Sequence, residues 1–244
     1  MIMDQMIHFI KEMSGRLTPG GYTSLQNQTD PGKVALMREL QREMKKKDVL
    51  QVPFNELNVV VFDLETTGFY PYKGDSILSI GAVKVKGDRL LKEEMFYEPV
   101  YNERSPSKEI EELTGITKEI LQEADSLQHV LKKFYQFAKA DALVAHHANH
   151  EKKFMKHATW FALKMNFQHR IIDTSFLTKI IAPTSELVTL DDCCAYYGIE
   201  IGQRHHALHD AIATAELWAH SVRSIQQLGF SNLNDVYNHI ATWK

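Results

Sequence analysis

The chain has 244 residues, 44% of them hydrophobic, and a formal net charge of −3. That length suits one α/β domain of roughly 180 residues plus a small appendage. The apolar content excludes a mainly disordered chain, and the slightly acidic balance excludes a strongly basic nucleic-acid coat. A nucleic-acid enzyme remains open, because carboxylates that hold metal ions lower the formal charge and the ions restore it.

The stretch MIMDQMIHFIKEM carries charges inside its apolar run and no basic leader. It reads as an amphipathic helix over residues 1–15, not a secretion signal. Residues 16–31 are rich in Gly, Pro, Thr, Asn and Gln and read as a loop. Val34, Met37, Leu40 and Met44 have helical spacing, which predicts a second helix from Gly32 to Lys47. Lys45, Lys46 and Lys47 suit the negative end of its dipole. Pro53 follows, and a domain boundary is expected near residue 55. The expected organisation is an N-terminal helical extension (1–55), a main domain (56–228) and a C-terminal helix (229–244).

Val59 to Phe62 is a continuous apolar run, as in a buried central strand. Ile77 to Val85 and Leu90 to Tyr97 predict two more strands, joined by a hairpin at Gly87-Asp88. Helices are expected near 107–113 and 126–139. A short strand from Ala142 to Ala145 leads into a helix near 150–164, and a strand from Arg170 to Ile172 follows. Further helices are expected near 174–181, 189–197, 209–228 and 231–241. Three early strands, then strands alternating with helices, imply an α/β fold: a mixed sheet flanked by helices. Cys193 and Cys194 are adjacent, so a bridge between them is not expected, nor is a structural zinc site. No run of 18 apolar residues occurs, so no membrane span is expected and a cytoplasmic location is.

Three clusters carry candidate chemistry. In Asp63-Leu64-Glu65-Thr66-Thr67-Gly68 a strand ends in carboxylates at i and i+2, which share a face. Two hard donors thus converge at the carboxyl end of a central strand, where open α/β sheets bind ligands. Two solvated acids at a strand end is the plain alternative. In His205-His206-Ala207-Leu208-His209-Asp210-Ala211, an aspartate opens a long apolar helix. Residues five apart on a helix point roughly 140° apart, so His205 must lie in the preceding loop to share a site with Asp210. The nearby acids favour hard cations over zinc. The third cluster is Ala145-His146-His147-Ala148-Asn149-His150-Glu151, with Phe154 one turn on. It also follows a strand and opens a helix.

Together these residues resemble the DEDDh exonuclease superfamily, close to the proofreading exonucleases of bacterial replicative polymerases. Asp63 to Gly68 matches the D-x-E-T-T-G motif and His205 to Ala211 matches H-x-A-x-x-D-A. Ser76 to Val83, Leu113 to Thr117, Ile172-Asp173-Thr174 and Ser185 to Ile199 resemble intervening family segments. The resemblance spans roughly residues 56–225. In the middle motif, roughly A-H-N-x-x-F-D, His147 stands at the usual Asn, His150 at the usual Phe and Glu151 at the usual Asp.

The resemblance implies an RNase H-like fold and two Mg²⁺ or Mn²⁺ ions, a pair that usually sits roughly 3.5–4 Å apart. It implies Asp63 bridging the ions, Glu65 and Asp210 completing one site, and Glu151 supporting the other through water. It implies His205 as general base, the imidazole having an ordinary pKa of ~6.5. The family's tyrosine branch is excluded, since His206 stands four residues before Asp210. Thr66, Thr67, Gly68 and a wedge at Phe69 would hold the 3′ nucleotide. His146 and His147 would line its pocket, and Tyr70, Tyr72 and Lys73 would lie at the mouth. The expected partner is a nucleic-acid 3′ end, DNA ahead of RNA, with any polymerase association in trans. A binding module weakened by Glu151 is the alternative.

Overall fold

In the computed structural model the described residues are 35, 38–40, 42–44, 48–185 and 187–243. The helix expected over 1–15 and the loop over 16–31 lie outside them. The described residues between 35 and 44 are helical, as their spacing predicts. Leu40 is buried in the same hydrophobic cluster as the central strand, with Met44 packed against it. Phe54 is fully buried, and its N–H donates to the Ser231 carbonyl. Asn234 donates its N–H to the Leu50 carbonyl. Residues on both sides of the expected boundaries therefore pack into common cores.

One five-stranded sheet organises the chain: β1 (Asn58–Thr66), β2 (Ile77–Lys86), β3 (Arg89–Pro99), β4 (Ala142–Ala145) and β5 (Ile171–Asp173), in the order β3-β2-β1-β4-β5. β2 runs antiparallel to β1 and β3, whereas β4 pairs in parallel with β1 and β5. The helices are α1 (Lys108–Thr114), α2 (Lys118–Glu123), α3 (Leu127–Ala138), α4 (Asn149–Leu163), α5 (Ser175–Ile181), α6 (Leu190–Tyr197), α7 (Ala207–Gln227) and α8 (Leu233–Ala241). The mixed sheet flanked by helices matches expectation. Helix α2 was not anticipated: its six residues are too few for a periodic signal, and its start rests on the Thr117 hydroxyl capping the Ile120 N–H.

β1 is buried on both faces, which is why it reads as an unbroken apolar run. Val60, Phe62 and Leu64 join Val130, Leu131, Phe134, Phe154 and Met155 in one core. Val59 and Val61 join Leu177, Trp218, Val222, Ile225, Leu233 and Val236 in the other. The period of two then puts Asp63 and Glu65 on the face that α7 covers. The Trp218 indole N–H donates to the Gly87 carbonyl at 3.2 Å, which ties α7 to the β2–β3 hairpin.

Gly81 pairs directly with Asp63. A Cβ there would lie 2.2 Å from the Ala207 carbonyl carbon and the Leu208 nitrogen, far inside contact distance. The missing side chain lets the first turn of α7 come down on the sheet beside Asp63. Gly81→Ala is expected to destabilise the fold by about 1–3 kcal/mol through overpacking. Urea denaturation measures this, and an unchanged midpoint would show that the helix does not rest there.

Candidate active site

Three carboxylates from two elements meet at the end of β1. Asp63, Glu65 and Asp210 each offer an oxygen, and these oxygens all lie within 4.8 Å of one another. β1 supplies the first two through its alternation. Asp210 sits in the first turn of α7, where the helix dipole favours negative charge. Glu65 and Asp210 are buried. Glu151, from the first turn of α4, is buried close to Asp63 but lies outside that three-oxygen group.

Glu151 is placed by Asp173. The Asp173 carboxylate at the end of β5 accepts the N–H groups of His147 (3.1 Å), Ala148 (3.0 Å) and Ser175 (2.9 Å). It thereby fixes the His147–Ala148 turn that leads into α4, which has no side-chain cap of its own, and the start of α5. His147 adopts φ +54°, a left-handed conformation that asparagine tolerates better than histidine.

The electrostatics are those of acids forced together in a poorly hydrated place. Burial raises the Asp63 carboxyl well above its ordinary range, and the charges of Glu151, Glu65 and Asp210 raise it further. Burial, then Asp210, pushes Glu65 up to about 7. Burial pushes Glu151 up to about 8. Burial also raises Asp210, against the opposing pull of Arg204 and of the His205 N–H. The Asp210 Oδ1 and Glu151 Oε2 atoms are buried without a hydrogen-bond partner. Crowded oxygens with unspent lone pairs fit a hard divalent cation.

Arg204 provides the nearest positive charge. Its guanidinium grips Asp191 of α6 through Nε (2.8 Å) and Nη2 (2.9 Å), and its Nη1 contacts Asp210. Neither Arg204 nor Asp191 was singled out from the sequence. The available signal was a cation directly before His205, thirteen residues beyond the acidic start of a helix. His205 lies in the loop, as the spacing required, with φ +57°. Its N–H donates to Asp210 Oδ2 at 3.1 Å. α7 begins at Ala207, two residues earlier than expected. His206 stacks on Tyr97 with ring centroids 4.4 Å apart, and His209 Nδ1 accepts the Gln203 N–H at 2.9 Å.

The expected nucleotide-binding residues divide. The Thr66 hydroxyl donates to the Gly68 carbonyl at 2.8 Å, and Thr67 exchanges hydrogen bonds with Ser76, which shapes the turn. Phe69 is 74% exposed and so is not a core residue. Its ring meets His150 edge-on at 5.8 Å. His146 bonds to the Thr174 hydroxyl and the Val188 carbonyl, so both its ring nitrogens are committed within the protein. His147 Nε2 also contacts the Val188 carbonyl.

These shifts fix a sign. An unfolded carboxyl ionises near ~4, whereas Glu65 and Glu151 in the fold do so near about 7 and about 8. The folded chain therefore holds more protons between those limits, and the metal-free protein loses stability as pH rises through 7 and 8. A divalent cation replaces those protons. Melting temperature without metal is expected to fall from pH 6 to pH 8.5, and Mn²⁺ to raise it more at pH 8.5. An equal Mn²⁺ effect at both pH values would contradict this.

The chain is similar to known nucleases. Residues 60–218 match the exonuclease family of the RNase T type. A DNA polymerase III subunit epsilon-like protein of Rhodobacter capsulatus is 31% identical over 78% of this chain, which spans 27% of that protein. The PolC-type DNA polymerase III of Bacillus subtilis is 35% identical over 71% of the chain, which spans 12% of it. The chain thus spans under a third of the length of these relatives. In fold it resembles the nuclease domain of 3′hExo, a DEDDh family member solved with rAMP, with a TM-score of 0.62, 20% identity, and coverage of 72% of this chain and 95% of that one. It also resembles Exonuclease X in complex with 5′ overhanging duplex DNA, with a TM-score of 0.56, 18% identity, and coverage of 74% and 98%. With the family match covering more than half of its length, and the acids of the first and last motifs gathered in one place, the chain belongs to the RNase T exonuclease family.

Proposed function

We propose that the chain removes nucleoside 5′-monophosphates from the 3′ end of single-stranded or frayed DNA. The observation that carries this reading is the meeting of Asp63, Glu65 and Asp210 beside the His205 loop. Asp63, Glu65 and Asp210 would hold Mg²⁺ or Mn²⁺, with Glu151 supporting a second ion. Such ions neutralise charge on the phosphate and stabilise the attacking and leaving oxygens. The protein's own groups do the rest. His205 accepts a proton from the attacking water. The Thr66–Gly68 turn and Phe69 position the terminal nucleotide. Hydrolysis breaks the bond between phosphorus and the 3′ oxygen, which leaves as a hydroxyl.

DNA stands ahead of RNA because the relatives in Rhodobacter capsulatus and Bacillus subtilis carry DNA polymerase III names. The same names support association with a polymerase. In the decisive assay, the protein with Mn²⁺ is given DNA and RNA strands of one sequence. Mononucleotide release, faster from DNA and abolished by Asp63→Ala, is expected. Faster shortening of RNA would reverse the substrate order, and no release from either would leave a binding module.

Glu151 tests the fourth position. Glu151→Gln removes the charge at nearly constant shape and is expected to lower the rate about 10–100-fold, as for other groups that support a metal through water. Glu151→Asp keeps the carboxylate and is expected to stay within a few-fold. Both variants releasing mononucleotide at the unsubstituted rate would remove Glu151 from the machinery.

A further inference from the structure

Large apolar side chains at the surface are unevenly placed. Among the described residues the four most exposed are Phe69 (74%), Tyr72 (71%), Phe161 (63%) and Tyr70 (60%), with Trp160 at 57%. All five lie on the turn after β1 or on the outer face of α4, whereas Leu228 (58%), Val188 (57%) and Tyr196 (57%) stand exposed singly elsewhere. On a helix of 3.6 residues per turn, His150, Lys153, His157 and Phe161 fall on one stripe, with Trp160 at its flank and Lys164 just past the helix end. The rings connect. Phe69 meets His150 at 5.8 Å, Tyr72 meets His157 at 5.1 Å, and His157 stacks with Phe161 at 6.0 Å. Lysines are interleaved: Lys73 lies 4.7 Å over the Tyr70 ring and Lys164 lies 5.5 Å over the Phe161 ring. Within α4, Lys152, Lys153 and Lys156 are exposed, while its one carboxylate, Glu151, is buried and turned to the active site. A chain of net charge −3 thus presents a helix whose exposed charges are all positive.

The geometry points to this stripe as the track for the single strand behind the scissile 3′ end. The inference rests on the exonuclease reading above and extends it beyond the terminal nucleotide. Two features select a single strand as occupant. The stripe is continuous with the active site at Phe69 and His150. Its alternation of π-faces with cations matches a polymer that alternates bases with phosphates. From His150 to Phe161 the stripe runs about 16 Å at 1.5 Å per residue, room for about five stacked nucleotides at 3.4 Å each. Stacking serves every base, so the track is sequence-tolerant. The interleaved lysines make its grip salt-dependent.

The test separates the track from the chemistry. The Trp160→Ala/Phe161→Ala protein is assayed on two substrates: a single-stranded (dT)12, and the p-nitrophenyl ester of thymidine 5′-monophosphate, which has no strand behind it. KM for (dT)12 is expected to rise at least roughly ten-fold, while ester hydrolysis stays within two-fold. Lys164→Gln is expected to flatten the salt dependence for (dT)12 alone. An unchanged KM for (dT)12 would overturn the proposal. If the unsubstituted protein hydrolyses neither substrate, the nuclease reading fails and binding decides the track. In a Trp243→Phe background Trp160 is the exposed tryptophan, Trp218 being buried. Its fluorescence is expected to be quenched by (dT)12 in EDTA, and an unquenched signal would overturn the track on its own.

Discussion

Four carboxylates held close together out of bulk water repel one another, and much of the fold is an answer to that repulsion. No pair among Asp63, Glu65, Glu151 and Asp210 gains by proximity. Each is displaced upward in proton affinity by burial first, and Asp63 and Glu65 are raised further by the charges of neighbouring carboxylates in the cluster. Such a cluster persists only where the surrounding packing over-determines it. β1 supplies that packing. It is covered on both faces, with Val60, Phe62 and Leu64 in one core and Val59 and Val61 in the other.

The second constraint is the approach of α7. A helix that covers a sheet normally stands off by the thickness of its side chains. Here the backbone of its first turn descends onto Gly81, the residue paired with Asp63. That descent brings Asp210 among the acids of β1. Midway along, the helix is held by the Trp218 indole at the β2–β3 hairpin. From the opposite flank, Asp173 holds the His147–Ala148 turn that leads into α4 through two backbone N–H groups, and the start of α5 through the Ser175 N–H. His147 stands at a left-handed position, and its ring contacts the Val188 carbonyl.

Much of this was legible in the chain alone, for identifiable reasons. β1 is an unbroken apolar run because both of its faces are covered. Asp63 and Glu65 share a face because strands alternate. His205 could share a site with Asp210 only from a loop, and the loop is where it lies. What escaped is what neither period nor motif encodes. Helix α2 is a single capped turn and a half. Arg204 and Asp191 pair across thirteen residues, through a contact that exists only after α6 and α7 are folded together. The aromatic stripe on α4 was invisible for another reason. His157 and Phe161 have ordinary core spacing, and only the finished surface shows that this face of the helix is uncovered.

Arg204 has a bearing on how the domain is born. Its guanidinium stands among Asp191, Asp210 and Asp63 as a charge the chain carries with it. A newly made polypeptide that collapsed around bare acids would depend on ions arriving during collapse, and its yield would follow their supply. With an arginine already present, the polypeptide can reach its native topology first and take up ions afterwards. Maturation then becomes two ordered events, and scarcity of ions leaves an idle but intact protein in place of a misfolded one.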